Sequence, residues 1–231
     1  MQSFDHSWEK NIYSQGKHIN SYPYDLVVSL VANNFFTIPK NKRKKIKILD
    51  LGCGAGNNSR FLAENGFATY GVDGSATAIK ICQQKFKKLN LKGDFKRADF
   101  LRLPYKDNFF DLVLDRQSLY ANKIVTIQKT IDEIFAKLRK GGLFISFMYS
   151  RSHPDIKFGK KNEPGTYSSF SKRSSFYRTK VAHFVSLREI KKLFSKFKIE
   201  SIHKHLMQQS VSNKKNSSME FSEYIIIARK I

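Results

Sequence analysis

The stretch that decides the fold is ILDLGCGAG, residues 48–56. An apolar run at residues 46–51 predicts a buried parallel strand, and residues 57–65 read as a helix directly after the glycines. Gly52 and Gly54 let the backbone turn sharply and approach a ligand without a Cβ clash. The helix N-terminus beyond them offers free N–H groups. The stretch therefore predicts a strand–turn–helix unit with a ligand at the turn.

Two cofactor classes use a turn of this kind. A dinucleotide site calls for G-x-G-x-x-G, with the pyrophosphate at the helix N-terminus. Here the third glycine, Gly56, comes one position early, and Asn57 stands in its place. The carboxylate of Asp50 would repel a pyrophosphate, but it accepts hydrogen bonds from an ammonium group. S-adenosylmethionine carries an ammonium and a sulfonium and has no phosphate, so the turn favours it over NAD or NADP.

Strands and helices alternate around this turn. We predict further strands at residues 67–72, 94–98, 110–114, 143–149, 197–202 and 221–228. We predict helices at residues 3–15, 21–36, 75–89, 124–138 and 186–194. A polar loop at residues 208–218 is expected to join the last two strands like a hairpin connection. The alternation indicates βαβ units around a parallel sheet.

The run LDLGCGAGN, with YGVD, RADF and LPYKDNFFDLVLDRQSLY after it, resembles the class I, Rossmann-like S-adenosylmethionine-dependent methyltransferases. The resemblance covers about residues 45–149. It implies an enzyme that uses S-adenosylmethionine. The fold expected is α/β, with a doubly wound, seven-stranded, mainly parallel sheet whose last strand is antiparallel. The expected fold also includes an N-terminal helical lid and an insertion after the fifth strand.

The resemblance also implies the cofactor site. Asp73 matches the family's acidic residue that binds both ribose hydroxyls, and Asp99 matches the residue that meets the adenine amino group, with Phe100 beside the ring. The full predicted set is Asp50, Leu51, Gly52, Cys53, Gly54, Asp73, Gly74, Ser75, Asp99, Phe100, Asp115 and Arg116. No metal is expected.

The chain is predicted to be one domain in four parts: an N-terminal helical cap at residues 1–45, the cofactor-binding core at 46–149, an insertion over the active site at 150–185, and a C-terminal helix with strands at 186–231. The insertion is polar and basic and lacks clean periodicity. Aromatic residues of the cap are predicted to form a lid whose rings face the sulfonium, namely Trp8, Tyr13, Tyr22 and Tyr24.

Catalytic residues are left open, because methyl transfer chiefly needs alignment of the acceptor and exclusion of water. His153 and His183 flank the insertion and are the candidate bases. The segment after the fourth strand begins Asp115-Arg-Gln-Ser118, without the [N/D]-P-P-[Y/F/W] run of enzymes that methylate base amino groups. Cys53 and Cys82 are poorly placed to be the nucleophile that pyrimidine C5 methylation needs.

These observations predict methyl transfer to an O or N atom of a small molecule, such as a sugar or a tailoring-pathway intermediate. Two alternatives stay open: an RNA methyltransferase that uses the basic surface, and a cofactor-binding scaffold without catalysis.

The net charge and the composition limit which partners are expected. The net charge of +23 is typical either of a polyanion-binding protein or of a lysine-rich proteome. Lys outnumbers Arg and is spread along the chain, which favours the second interpretation. No apolar run is long enough for a membrane span, and no signal-peptide pattern opens the chain, so a cytoplasmic protein is expected. Two cysteines argue against a disulfide framework or zinc site. The oligomeric state is left open.

Overall fold

The computed structural model describes residues 3–208 and 220–231. The strands of its main sheet are β1 (Lys47–Leu51), β2 (Ala68–Asp73), β3 (Asp94–Arg97), β4 (Phe110–Arg116), β5 (Leu138–Tyr149), β9 (Phe197–Met207) and β10 (Phe221–Lys230). Their order is β3-β2-β1-β4-β5-β10-β9. Among the described strands of this sheet, β10 alone runs against its neighbours, pairing antiparallel with both β5 and β9. The predicted sheet, parallel except for its last strand, is therefore confirmed.

Helices cover both faces of the sheet. They are α1 (Ser7–Asn11), α2 (Asp25–Phe35), α3 (Asn57–Glu64), α4 (Ala76–Lys88), α5 (Ile124–Lys137) and α6 (Leu187–Leu193). Along β1, Leu49 points to the face that packs α5 and α6, whereas Ile48 points to the face that packs α2 and α3. This two-residue alternation lets one strand bury side chains in both layers. Helix α6 begins with the capping box of Ser186 and Glu189 that its sequence predicts.

Several element boundaries differ from the predicted ones. The first helix spans Ser7–Asn11 and not residues 3–15, because Ser3 is hydrogen-bonded to a distant carboxylate in an extended segment. Helix α2 begins at Asp25 and not at residue 21. Tyr24, just before it, is extended and donates its N–H to Asn58. Strands β5, β9 and β10 are all longer than predicted. The antiparallel pairing of β9 with β10 includes the extra residues of both, and the earlier start of β5 pairs Leu138 with Phe110 of β4.

The insertion contains regular secondary structure that the sequence did not predict. Three short strands form a second, antiparallel sheet: β6 (Lys160–Glu163), β7 (Thr166–Ser168) and β8 (Val181–His183). Its own apolar cluster, which includes Phe170, Phe176 and Phe184, packs with Tyr120 from the segment after β4. The insertion is thereby fixed next to the carboxyl ends of the parallel strands, where open α/β sheets bind ligands.

Two further points concern the limits of the chain. The polar loop predicted at residues 208–218 lies, apart from Gln208, outside the described residues. Within residues 3–208 and 220–231, no helix has the length and hydrophobicity needed to cross a bilayer.

Candidate functional site

The glycine turn after β1 depends on its glycines. Gly52 and Gly54 have φ angles of 70° and 52°, in the left-handed region that favours glycine. A Cβ atom at Gly52 would overlap the side chain of Ser118, and one at Gly54 would crowd the hydroxyl of Tyr13. The N–H groups of Gly52 and Cys53 both donate to the carbonyl of Val72, which ties the turn to β2.

Asp73 ends β2 beside this turn. Its Oδ2 accepts the N–H of Gly54 at 3.0 Å, and its Oδ1 accepts the N–H of Ser75 at 2.8 Å. Burial raises the pKa of Asp73 to about 6, against the lowering effect of those two N–H donors. Each carboxylate oxygen has a second lone pair, and Asp73 lines the cavity. The group is therefore suited to accept two hydroxyl donors.

A cavity of about 160 Å³ lies over the glycine turn and the ends of β2 and β4. From the predicted cofactor set, its wall contains Gly52, Cys53, Gly54, Asp73, Gly74, Phe100 and Arg116. These residues come from separate loops along the chain, and the strand order 2-1-4 brings the loops together.

Three other predicted residues support the turn from behind. Asp50 is fully buried and accepts the hydroxyl of Ser59 at 2.6 Å. Leu51 is a core residue whose carbonyl accepts the hydroxyl of Ser118 at 2.7 Å. Ser75 caps α4, since its Oγ accepts an N–H from that helix. Burial raises the pKa of Asp50 to about 7, and the Ser59 hydroxyl opposes that shift.

The last two residues of the predicted cofactor set, Asp115 and Asp99, also form hydrogen bonds with other residues of the chain. Asp115 accepts the hydroxyls of Ser118 at 2.5 Å and of Ser146 at 2.6 Å, which fixes the loop after β4. Asp99 accepts both the N–H and the hydroxyl of Ser3 from the extended N-terminal segment. Sequence reasoning did not anticipate this contact, because the two residues are 96 positions apart.

The two predicted candidate bases lie in the insertion and not in the cavity wall. His153 accepts the N–H of Asp155 through Nδ1 at 3.1 Å and packs on aromatic rings. Burial lowers its pKa to about 4. The Nδ1 of His183 lies 2.6 Å from the hydroxyl of Thr166, and the side chain is fully buried. The structure therefore gives both histidines packing and hydrogen-bonding contacts within the insertion, outside the residues that line the cavity.

The histidine that does line the cavity is His18, which sequence reasoning missed. It lies between the helices of the cap with a φ angle of 56°, a left-handed conformation uncommon outside glycine. Its ring meets the edge of Trp8, with centroids 5.7 Å apart. Burial and the nearby charge of Arg178 lower the pKa of His18, so the imidazole is neutral at pH 7. No periodicity or motif in the sequence marks this position.

The rest of the cavity wall is aromatic and amide-rich. Of the predicted lid aromatics, Trp8, Tyr13 and Tyr24 line the cavity, whereas Tyr22 is 81% exposed and is not part of the cavity wall. The wall also contains Tyr120, Tyr149 and five side-chain amides that the sequence did not single out: Asn20, Asn57, Asn58, Gln117 and Asn122.

The donor set fits S-adenosylmethionine better than a nucleotide phosphate. Asp73 presents a carboxyl group to the cavity, while the buried carboxyl groups of Asp50 and Asp115 lie behind the turn. A carboxylate in the cavity wall, such as that of Asp73, disfavours a pyrophosphate. The aromatic rings of Trp8 and Tyr13 suit a sulfonium cation.

Comparisons with known proteins identify the family of the chain. Residues 42–215 match the family model described as a methyltransferase domain. A ubiquinone biosynthesis O-methyltransferase of Rickettsia prowazekii is 24% identical over 198 residues, covering 80% of this chain and 75% of the relative.

Solved structures show the same fold. A SAM-dependent methyltransferase of Methanosarcina mazei superposes with a TM-score of 0.70 at 20% identity, covering 91% of this chain and 99% of that one. The magnesium protoporphyrin IX methyltransferase of Synechocystis, solved with bound SAM, gives a TM-score of 0.59 at 18% identity, covering 89% and 76% of the two chains.

The fold and the family match together define an S-adenosylmethionine-dependent methyltransferase of class I. The chain belongs to the methyltransferase-domain family, and its cofactor is S-adenosylmethionine. For other curated relatives the chain spans only 26% to 61% of their length, so their whole-protein activities do not carry over.

Proposed function

We propose that the protein transfers the methyl group of S-adenosylmethionine to an oxygen or nitrogen atom of a small molecule, of the sugar or tailoring-pathway kind. The observation that carries this proposal is the makeup of the cavity wall. Rings of Trp8, Tyr24 and Tyr120 face the same space as the amides of Asn20 and Asn122. Flat rings pack against ring-shaped molecules, and amides both donate to and accept from hydroxyl groups.

In this proposal, separate residues of the predicted set bind the ribose and the adenine of the cofactor. Asp73 accepts the ribose hydroxyls, while Asp99 and Phe100 take the adenine. When bound, S-adenosylmethionine supplies a methyl carbon activated by the sulfonium. Trp8 and Tyr13 face the positive charge and exclude water from the reacting end. Little further chemistry is required of the protein, because alignment accounts for most of the rate.

If the acceptor atom is a hydroxyl oxygen, a proton must leave as the O–C bond forms. We assign the proton acceptor role to His18, in place of His153 or His183. His18 lines the cavity, and its lowered pKa leaves the imidazole unprotonated, with a free nitrogen lone pair to accept a proton. His153 and His183 are buried within the insertion, outside the cavity wall, so they are less suited to take a proton from the acceptor.

The size of the cavity, about 160 Å³, also supports a small acceptor over RNA. The relative from Rickettsia prowazekii is named for O-methylation in ubiquinone biosynthesis, which is small-molecule chemistry. RNA would need a positioned basic groove beside the cavity, and the basic residues here are dispersed along the chain.

The test is release of S-adenosylhomocysteine during incubation with S-adenosylmethionine and candidate acceptors. One arm holds pools of glycosides, phenols and amines, and the other holds total tRNA at about 150 mM salt. We expect turnover in the first arm, lowered by His18→Gln and unchanged by His203→Gln, whose histidine is exposed on β9. Turnover with tRNA alone would replace the proposal with the RNA alternative. Cofactor binding without turnover in either arm would favour a scaffold.

A further inference from the structure

The segment at residues 3–9, here called the strap, is extended at its start and enters helix α1 at Ser7. It is bound to the proposed nucleoside end of the cofactor site. The N–H of Ser3 donates to Asp99 Oδ2 at 2.9 Å and Oδ1 at 3.2 Å, and the Ser3 hydroxyl donates to Oδ1 at 2.6 Å. The same hydroxyl oxygen accepts the N–H of Phe100 at 2.8 Å. Leu101 adds another N–H to Oδ1 at 2.9 Å. The Asp99 carboxylate is thus occupied by donors from the protein itself.

Phe4 continues this contact toward Asp73. Its ring lies so close to Gly74 that a Cβ atom there would overlap the ring. Phe4 also forms part of the cavity wall, together with Ser3 and Asp73. A flat, apolar ring therefore covers the backbone between the ribose acceptor and the start of α4.

The other end of the strap is tied to α4. The carboxylate of Glu9 accepts the hydroxyl of Ser75 at 2.5 Å, and it accepts both the N–H and the hydroxyl of Thr77. Between these anchors, Asp5 accepts the N–H of Lys180 from the insertion at 2.8 Å. The strap is therefore fastened to three separate parts of the site.

We propose that the strap is a built-in competitor of the cofactor, in which Ser3 and Phe4 take the place of the adenine. This proposal rests on the assignment of Asp73, Asp99 and Phe100 to the nucleoside. Ser3 offers Asp99 N–H and O–H donors where an adenine would offer its amino group, and Phe4 offers a flat ring in place of the purine.

The competition has a direct thermodynamic consequence. If the nucleoside enters only when Ser3 and Phe4 leave, the measured affinity equals the intrinsic affinity multiplied by the fraction of molecules with an open strap. Weakening the strap raises that fraction and tightens cofactor binding. A strap that served only to stack on bound adenine would have the opposite effect when weakened.

The strap also carries its own reporter. The sequence contains one tryptophan, Trp8, which lies on the strap. Its ring packs against Tyr13 and His18, with centroid distances of 6.1 Å and 5.7 Å. Displacement of the strap changes these contacts, so an indole emission that stays constant on binding shows that the strap has not moved.

The experiment is calorimetric titration of S-adenosylhomocysteine into the full chain and three variants. We expect Phe4→Ala to tighten binding by about fivefold or more, and Ser3→Ala to tighten it by a smaller factor. Val125→Ala, a truncation at a residue 52% exposed on α5, serves as the matched control and leaves the affinity unchanged. Trp8 emission should change with the same saturation curve as the heat.

Each outcome discriminates between the claims. The strap proposal would be overturned if folded Phe4→Ala binds more weakly than, or as tightly as, an unmodified protein that binds normally. The proposed function would remain intact. Binding without any change in Trp8 emission would also overturn the strap. Absence of binding in every protein would overturn both claims. If Phe4→Ala fails to fold, Ser3→Ala and the Trp8 emission decide.

Discussion

The Oδ2 atom of Asp73 and the backbone N–H of Gly54 are joined by a hydrogen bond of 3.0 Å. This bond ties the end of β2 to the glycine turn after β1. The side chain that is the proposed ribose acceptor therefore also holds the glycine turn in place. The second oxygen of the same carboxylate accepts the N–H of Ser75 at the start of α4. Any change at Asp73 therefore acts on cofactor binding and on local backbone geometry together.

Asp73→Ala should weaken S-adenosylhomocysteine binding by at least about 1.5 kcal/mol, which is roughly tenfold or more. The substitution removes a charged acceptor for two hydroxyls, and hydrogen bonds to charged groups contribute about 1.5–3 kcal/mol each. Calorimetry measures the dissociation constant, and circular dichroism checks that the variant is folded. Asp94→Ala, which removes an exposed carboxylate paired with Lys96, is the control for loss of charge. An unchanged constant in a folded Asp73→Ala variant would reduce Asp73 to a backbone anchor.

Cofactor affinity should fall as the pH drops through about 6. Burial raises the pKa of Asp73 to about 6, and only the ionised carboxylate accepts from both ribose hydroxyls. At pH 5 about one tenth of the molecules keep Asp73 ionised, so binding weakens roughly tenfold relative to pH 8. Titrations of the wild type and Asp73→Asn across this range make the test. The variant should show a flat profile, and an equally steep profile in the variant would assign the pH dependence to another group.

Asp50→Asn should stabilise the fold at neutral and alkaline pH. Burial raises the folded-state pKa of Asp50 to about 7, above its unfolded value, so the folded protein binds the proton more tightly. The stability linked to this carboxyl is present below the unfolded pKa and is lost as the pH rises toward 7. The cost of the charge reaches the order of 4 kcal/mol above pH 7, less the cost of burying an amide.

Thermal unfolding measured at pH 5 and pH 8 tests this directly. The difference in melting temperature between Asp50→Asn and the wild type should grow with pH, reaching on the order of 5 °C at pH 8. Asp94→Asn, at an exposed site on β3, should show no such trend. A pH-independent difference would mean that the hydroxyl of Ser59 keeps Asp50 ionised without strain.

The core of the fold was predictable because its signals are local. The glycine turn, the strand β1 and the helix α3 lie within one stretch of sequence, and the positive φ angles of Gly52 and Gly54 require glycine. Parallel strands buried on both faces are continuous apolar runs, which the sequence displays clearly. The capping box of Ser186 and Glu189 is likewise a four-residue signal.

The rest depends on contacts between distant residues. Ser3 meets Asp99 across 96 positions, and nothing in either local sequence encodes the pairing. The strands β6, β7 and β8 are three or four residues long, so their pairing leaves no periodicity to detect. His18 enters the cavity through a left-handed backbone at a residue that is not glycine.

The net charge of +23 should give only weak, sequence-blind RNA binding that is lost near about 150 mM salt. Phosphate and base recognition favour fixed arginine forks, and two of the three arginines of the insertion already have partners within the protein. Arg151 is paired with Glu189 at 2.7 Å, and Arg178 stacks on Tyr177.

A salt titration of tRNA binding measures this, because the slope of log K against log salt counts the phosphates neutralised. Arg173→Ala with Arg178→Ala tests the insertion, and Lys191→Ala with Lys192→Ala on α6 removes the same charge elsewhere as the control. We expect the two double variants to weaken binding equally at low salt, as a dispersed coat of charge requires. Submicromolar, structure-selective binding at about 150 mM salt that only the insertion variant abolishes would make RNA the acceptor and set aside the small-molecule proposal.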